Sequence, residues 1–343
     1  MNRDRVACIR ATAYSLPTNI ESNELLVAEL PGDWTAEKIL AKTGIRSRHI
    51  AASGECASDL GAAAAEELFR TGACAPGDVD FLIVCTQSPD HVLPTTACLM
   101  QARLGLSRAC GAVDVNQGCS GYVYGLALAK GLLETGAARN VLLITADTYS
   151  KYINKRDRSV RAIFGDGAAA TLLSVVERGG EHIGPFVFGT DGRGAKHLIV
   201  PAGGCRVAST AAQAEEKEDA SGNWRSDQDL FMNGPEVFSF TLRVVPPLFR
   251  ELLEKAEMEL SNVDRFIFHQ ANKFMLDHLR VKLGIPEEKF SVNLEDIGNT
   301  VSSTIPIALS RDRERGLVKP GDRVMLVGFG VGLSWAATMI RVQ

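Results

Sequence analysis

The sequence predicts an α/β protein made of two similar halves, and three observations carry that expectation. Short β-branched runs, VDFLIV at 79–84, NVLLIT at 140–145 and RVMLVG at 323–328, alternate with Ala- and Leu-rich stretches such as ASDLGAAAAEELFRTG at 57–72. That is the pattern of sheets covered by helices. The 343 residues are 45% hydrophobic and include 32 glycines, enough to bury one large core or two fused ones between many tight turns. Finally, one ordered set of segments occurs twice.

In the first copy, Val79-Asp80 opens an apolar strand ending near Cys85, followed by Leu104-Gly105, Val115-Asn116, QGCSGYVYGLALAKGLLETG and NVLLIT. In the second, Val263-Asp264 opens RFIFH ending at His269, followed by Leu283-Gly284, Val292-Asn293, IGNTVSSTIPIALSRDRERG and RVMLVG. A diverged duplication is the simplest reading, dividing the chain into 1–175 and 176–343. A pseudo-twofold axis would then set Cys119 and Asn299 at equivalent helix starts and make Cys85 the counterpart of His269. Between the halves, residues 203–230 are polar and poor in aliphatics, which predicts an exposed excursion.

The formal net charge of −4 gives no basic footprint for nucleic acid. The N-terminus has no apolar run of signal-peptide length, and no later stretch approaches the roughly 18 uninterrupted apolar residues of a membrane span. The expectation is a cytoplasmic protein off the membrane. The eight cysteines are scattered, without a C-x-x-C pair or paired-histidine spacing, so no metal site is expected. A cysteine taken blindly is a small core hydrophobe, and a reactive one must be recognised by its setting.

Cys119 has such a setting. It stands in Asn116-Gln117-Gly118-Cys119-Ser120-Gly121, after the β-like run GAVDV and before the apolar stretch YVYGLALA. Flanking glycines permit a sharp turn and close approach of a substrate. A helix without a polar face must be buried, so its N-terminal dipole is expected to favour the thiolate. His269, at the end of FIFH, reads on its own as a core histidine. Asn299 reads equally as a helix cap or as a side-chain donor to a reacting carbonyl. Gly328-Phe329-Gly330-Val331-Gly332 is either a flexible turn or the source of a backbone amide aimed at an oxyanion.

Taken together, the Cys119 segment, His269-Gln270-Ala271-Asn272, Gly298-Asn299-Thr300 and Gly328-Phe329-Gly330-Val331-Gly332-Leu333-Ser334-Trp335 resemble the active-site motifs of β-ketoacyl-acyl carrier protein synthase III. The likeness runs from Thr43-Gly44-Ile45-Arg46 through Phe164-Gly165-Asp166-Gly167-Ala168 to the last strand. It implies the thiolase fold, a five-layer αβαβα sandwich, a homodimer, and a catalytic triad of Cys119, His269 and Asn299. The amides of Cys119 and Val331 would form the oxyanion hole. The implied reaction moves an acyl group from a thioester to Cys119 and condenses it with decarboxylating malonyl-acyl carrier protein. No cofactor is implied beyond coenzyme A or carrier thioesters as substrates.

The resemblance also implies a coenzyme A path along Lys42, Arg158, Gly234, Phe238 and Asn272, and carrier-protein docking at Lys273, Arg280 and Lys282. Lys42 and Lys38 depart from the arginine and adenine-stacking tryptophan of the family, and Trp34 lies four residues early. Leu93, at the position of an acyl-pocket residue supplied by the dimer partner, is smaller than the phenylalanine of acetyl-specific members and points to a longer or branched primer. Two rivals are an acyltransferase of secondary metabolism with a non-malonyl acceptor and an inert partner subunit. Retention of Cys119, His269 and Asn299 argues against the second.

Overall fold

The computed structural model describes residues 5–29, 34–177 and 180–343. Strands β1 (Arg5–Ser15), β2 (Phe81–Cys85), β3 (Gly111–Val115), β4 (Asn140–Asp147) and β5 (Gly167–Glu177) form one sheet in the order β1-β5-β4-β2-β3. Strands β6 (Ile183–Thr190), β7 (Arg265–Phe268), β8 (Arg323–Gly330) and β9 (Ser334–Arg341) form another in the order β7-β8-β9-β6. The two orders are one pattern. β2 and β4 run parallel as β7 and β8 do, and antiparallel β5 and β1 follow β4 as β9 and β6 follow β8. The counterpart of β3 is reduced to a single parallel bridge between Phe266 and Phe290.

Helices α1 (Ala57–Arg70) and α2 (Thr96–Arg103) cover the outer face of the first sheet, and α4 (Gly234–Lys255), backed by α5 (Lys273–Leu283), covers that of the second. Helices α3 (Gly121–Glu134) and α6 (Thr304–Glu314) touch strands of both sheets and fill the middle layer. This is the five-layer αβαβα sandwich of the thiolase fold. Its central strands are covered on both faces, so β4, buried at every residue after Asn140, reads as an unbroken apolar run rather than an alternating one. Helix α3 departs from the expectation of complete burial, because Leu128 on one side is 49% exposed. No helix among the described residues is long and apolar enough to cross a membrane.

Candidate active site

Cys119 lies in the turn between β3 and α3, two residues before the first helical residue, and is 4% exposed. The glycines around it answer to crowding. A Cβ at Gly118 would stand 2.4 Å from Val331 Cγ1, and one at Gly330 would stand 2.6 Å from the Cys119 sulfur. Burial pushes the Cys119 thiol up to about 12, against the opposing pull of backbone N–H groups of Val331 and of Cys119 itself. The nearby Asp147 charge adds to the rise. The thiolate expected from the helix dipole is therefore not the resting form: desolvation outweighs the dipole for a sulfur this deeply enclosed. The amides of Val331 and Cys119 thus both face the Cys119 sulfur.

The other half brings His269 and Asn299 to the same place. His269 follows the end of β7, held by its N–H donating to Val327 O at 2.8 Å. Asn299 stands two residues before a short 3-10 turn, Val301–Ser303, that leads into α6, so it is not the cap of that helix. Gly298, at φ 70°, supplies the left-handed residue needed there, and a Cβ would stand 2.9 Å from Ile163 O. Asn299 Oδ1 accepts the Val301 N–H at 2.9 Å, which turns its Nδ2 toward His269 Nε2 at 3.5 Å. His269 Nδ1 meets Thr304 Oγ1 at 2.7 Å, and that hydroxyl donates to Val301 O at 3.0 Å. The Nδ1–H tautomer satisfies all of these contacts. Burial pulls the imidazole down to about 3, so the ring is neutral, with the Val301 carbonyl opposing weakly.

Cys119, His269 and Asn299 line one narrow cavity of about 40 Å³, with Phe164, Leu198, Thr241 and Phe329 completing its wall. Through Ile163, Met232, Val237, Asn272 and Met275 it shares walls with a wider crevice of about 400 Å³. A thiol, two neutral hydrogen-bonding side chains and two backbone donors thus meet in one cavity beside the wider crevice. Among the described residues no cluster of three or more His, Cys, Asp or Glu could hold a metal.

The five residues assigned to the coenzyme A path, Lys42, Arg158, Gly234, Phe238 and Asn272, all line the wider crevice. Asn272 also caps α5, accepting the Met275 N–H at 2.8 Å. Trp34 lines the crevice too, with the Lys42 ammonium 5.4 Å from its ring centre. The 203–230 excursion is mostly exposed, and its Ser221 and Gly222 carbonyls hold Arg158 at the crevice.

Leu93 is 79% exposed and outside the Cys119 cavity of its own chain. The α5 cations are each engaged: Lys273 with Asp277 at 2.6 Å, Arg280 with Glu287 at 3.6 Å, and Lys282 with Leu242 O at 3.2 Å. Sequence reading missed Asp147, fully buried at the end of β4, whose carboxylate accepts the Gln87 N–H at 2.8 Å and the Ser302 N–H at 3.2 Å. Its only signal was an acid closing an apolar strand.

Comparison with known proteins agrees with this geometry. Residues 113–192 match the family model described as 3-oxoacyl-[acyl-carrier-protein (ACP)] synthase III, and residues 253–342 match its C-terminal counterpart. The chain is 38% identical over 335 residues to the β-ketoacyl-[acyl-carrier-protein] synthase III of Caldanaerobacter subterraneus subsp. tengcongensis, covering 98% of this chain and 97% of the relative. A crystal structure of a 3-oxoacyl-(acyl-carrier-protein) synthase III superposes with a TM-score of 0.96 at 56% identity, covering 98% of this chain and 99% of that one. The priming β-ketosynthase of the R1128 polyketide pathway gives a TM-score of 0.87 at 31% identity, over 100% and 98% of the two chains.

Proposed function

The chain belongs to the β-ketoacyl-[acyl-carrier-protein] synthase III family of condensing acyltransferases, and we propose that Cys119, His269 and Asn299 carry the reaction. The observation that carries this reading is their convergence on one cavity at the end of a thioester-sized crevice. His269 Nε2 takes the Cys119 proton as the sulfur attacks the acyl thioester, and passes it to the departing thiolate. The amides of Cys119 and Val331 hold the tetrahedral oxyanion. A malonyl thioester then loses carbon dioxide, and its enolate oxygen lies between the side chains of His269 and Asn299, with the neutral His269 ring in its Nε2–H tautomer and the Thr304 hydroxyl turned to donate to Nδ1. The enolate carbon attacks the acyl-cysteine and frees the sulfur. A neutral amide at position 299 stabilises the enolate where a carboxylate would repel it.

Trp34, Lys42 and Arg158 lie where the nucleotide of coenzyme A would pass, with Trp34 supplying the aromatic face that Lys38 cannot. The second substrate is malonyl-acyl carrier protein, docking beside Lys273, Arg280 and Lys282. A homodimer is supported by the apolar side chains left exposed at Val92 (91%), Leu93 (79%) and Val113 (39%), the last on the open edge strand β3. In that dimer Leu93 would reach the partner's acyl pocket and admit a longer or branched primer. The eight cysteines all stand free, which supports a reducing, cytoplasmic setting. The likeness to a polyketide priming synthase favours one second reading, a specialised condensation of secondary metabolism. Incubation with a panel of acyl-coenzyme A primers and malonyl-carrier protein tests the proposal. A β-ketoacyl-carrier product with one carbon dioxide released per turnover supports it, and acyl transfer without carbon dioxide release refutes it.

A further inference from the structure

Both ring nitrogens of His269 are positioned by one short segment, Asn299–Thr304. Asn299 Nδ2 faces Nε2, and Thr304 Oγ1 holds Nδ1. That segment is strained. Val301, fully buried and β-branched, sits at φ 55°, a left-handed conformation that such residues rarely adopt. It persists only because surrounding bonds over-determine it.

Within the segment, Val301 N–H is tied to Asn299 Oδ1 and Val301 O to Thr304 Oγ1. Ser303 N–H also donates to Thr300 O at 3.1 Å, Asn299 N–H donates to Ile163 O at 2.9 Å, and further ties come from the other half of the molecule. Ser303 Oγ donates to the Thr145 carbonyl at 3.0 Å, and Ser302 donates both its N–H, at 3.2 Å, and its Oγ–H to the Asp147 carboxylate. Asp147 reaches the nucleophile's surroundings as well. Its other oxygen accepts the N–H of Gln87, and a Cβ at Gly118 would stand 2.5 Å from Gln87 Oε1. Asp147 is fully buried, and no cation is paired with it among the described residues. Burial pushes its carboxyl up to about 7, so the group is charged in the main only above neutrality, and a buried carboxylate without a counter-ion is an expensive group to enclose for hydrogen bonding alone.

We propose that Asp147 is a positioning residue that fastens the Asn299–Thr304 turn, and through it His269 and Asn299, to the half that carries Cys119. The assignment rests on the functional reading above. Asp147 does not line the Cys119 cavity and acts through Ser302 and Gln87. Its charge also opposes negative charge on the Cys119 sulfur. The other titratable groups within its reach are Cys85, Tyr149, Tyr152 and Asp166. Positioning and charge therefore predict opposite effects on two separate readouts.

The test compares Asp147→Asn and Ser302→Ala with the parent. One readout is the condensation rate of pre-acylated enzyme with malonyl thioester. The other is the rate at which iodoacetamide alkylates Cys119 near pH 8, followed by peptide mass. Asp147→Asn keeps the shape, removes the charge and cannot accept every bond, so condensation should fall roughly a hundredfold, as for a small misplacement of reacting groups, while alkylation of Cys119 speeds up. Ser302→Ala keeps the charge and loses only the side-chain bond, so condensation should fall with alkylation unchanged. Parallel loss of condensation and alkylation in Asp147→Asn would mean general damage and overturn the assignment. So would parent-like condensation in either variant. If Asp147→Asn does not fold, the Ser302→Ala arm decides alone. Failure of the parent to condense would remove the functional reading instead, while the alkylation arm would still report whether the Asp147 charge acts on Cys119.

Discussion

Gly330 lies against Cys119 with no room for a side chain: a Cβ there would stand 2.6 Å from the sulfur and 2.7 Å from Cys119 Cβ. The last residue of β8 thus forms the floor under the Cys119 thiol, and the next residue, Val331, supplies an amide to it. Gly330→Ala must displace the thiol, and a displacement near 1 Å costs on the order of a hundredfold in rate. The account expects acyl-enzyme formation to slow by about that factor, with the melting temperature lowered as well because the methyl overpacks a buried site. Acylation at the parent rate would show that the wall yields.

The thiol of Cys119 stands at about 12 because it is buried, well above an ordinary cysteine. Only the thiolate alkylates, so its alkylation rate should rise about tenfold per pH unit and go on rising past pH 9. An ordinary exposed thiol levels off once it is ionised, near about 8.5. Peptide mapping after timed iodoacetamide treatment separates the two, and a plateau for Cys119 below pH 8 would restore the thiolate expected from sequence.

Trp34 and Lys42 meet at the mouth of the crevice, 5.4 Å from ring centre to ammonium. Base stacking on an aromatic ring contributes about 1–3 kcal/mol. Trp34→Ala should therefore raise the apparent KM for acyl-coenzyme A by roughly tenfold and leave that for the matching acyl-pantetheine unchanged. Equal effects on both thioesters would take Trp34 out of nucleotide recognition.

On α5, Arg280 faces Glu287 at 3.6 Å while Lys282 bonds a carbonyl of α4, and both are near enough to the surface for their charge to be felt beyond it. Arg280→Glu combined with Lys282→Glu should raise the apparent KM for malonyl-carrier protein at low salt, less so at high salt, with self-acylation from acyl-coenzyme A intact. Parent-like kinetics at subsaturating carrier protein would favour a small coenzyme A thioester as the second substrate.

Much of this site could be read before the fold was known, because it is written in local signals. The repeated Val-Asp openings at 79 and 263 mark strands β2 and β7, and glycines bracket Cys119 and precede Asn299. What escaped is set by contacts distant in the chain. Asp147 meets Ser302 across 155 positions, and nothing in TADTYS announces that partner. Trp34 and Lys42 come together over one crevice, a proximity that spacing in the sequence does not report. The state of Cys119 was misread for a related reason: the dipole of α3 is visible in sequence, whereas the packing of Phe329 and Gly330 around the same cavity, which dries the sulfur, is not.

The central claim is that Cys119 carries the acyl group while His269 and Asn299 serve the condensation. The most direct test is intact mass with peptide mapping after incubation with acyl-coenzyme A, followed by a chase with malonyl thioester, on the parent, Cys119→Ala, His269→Ala and Asn299→Ala. The account predicts one acyl group on Cys119 in the parent and none in Cys119→Ala. In the other two variants an acyl-enzyme should form and then persist through the chase, with condensation down roughly a hundred- to thousandfold. Undiminished acylation of Cys119→Ala, or normal discharge of the acyl group by malonyl thioester in both His269→Ala and Asn299→Ala, would contradict it.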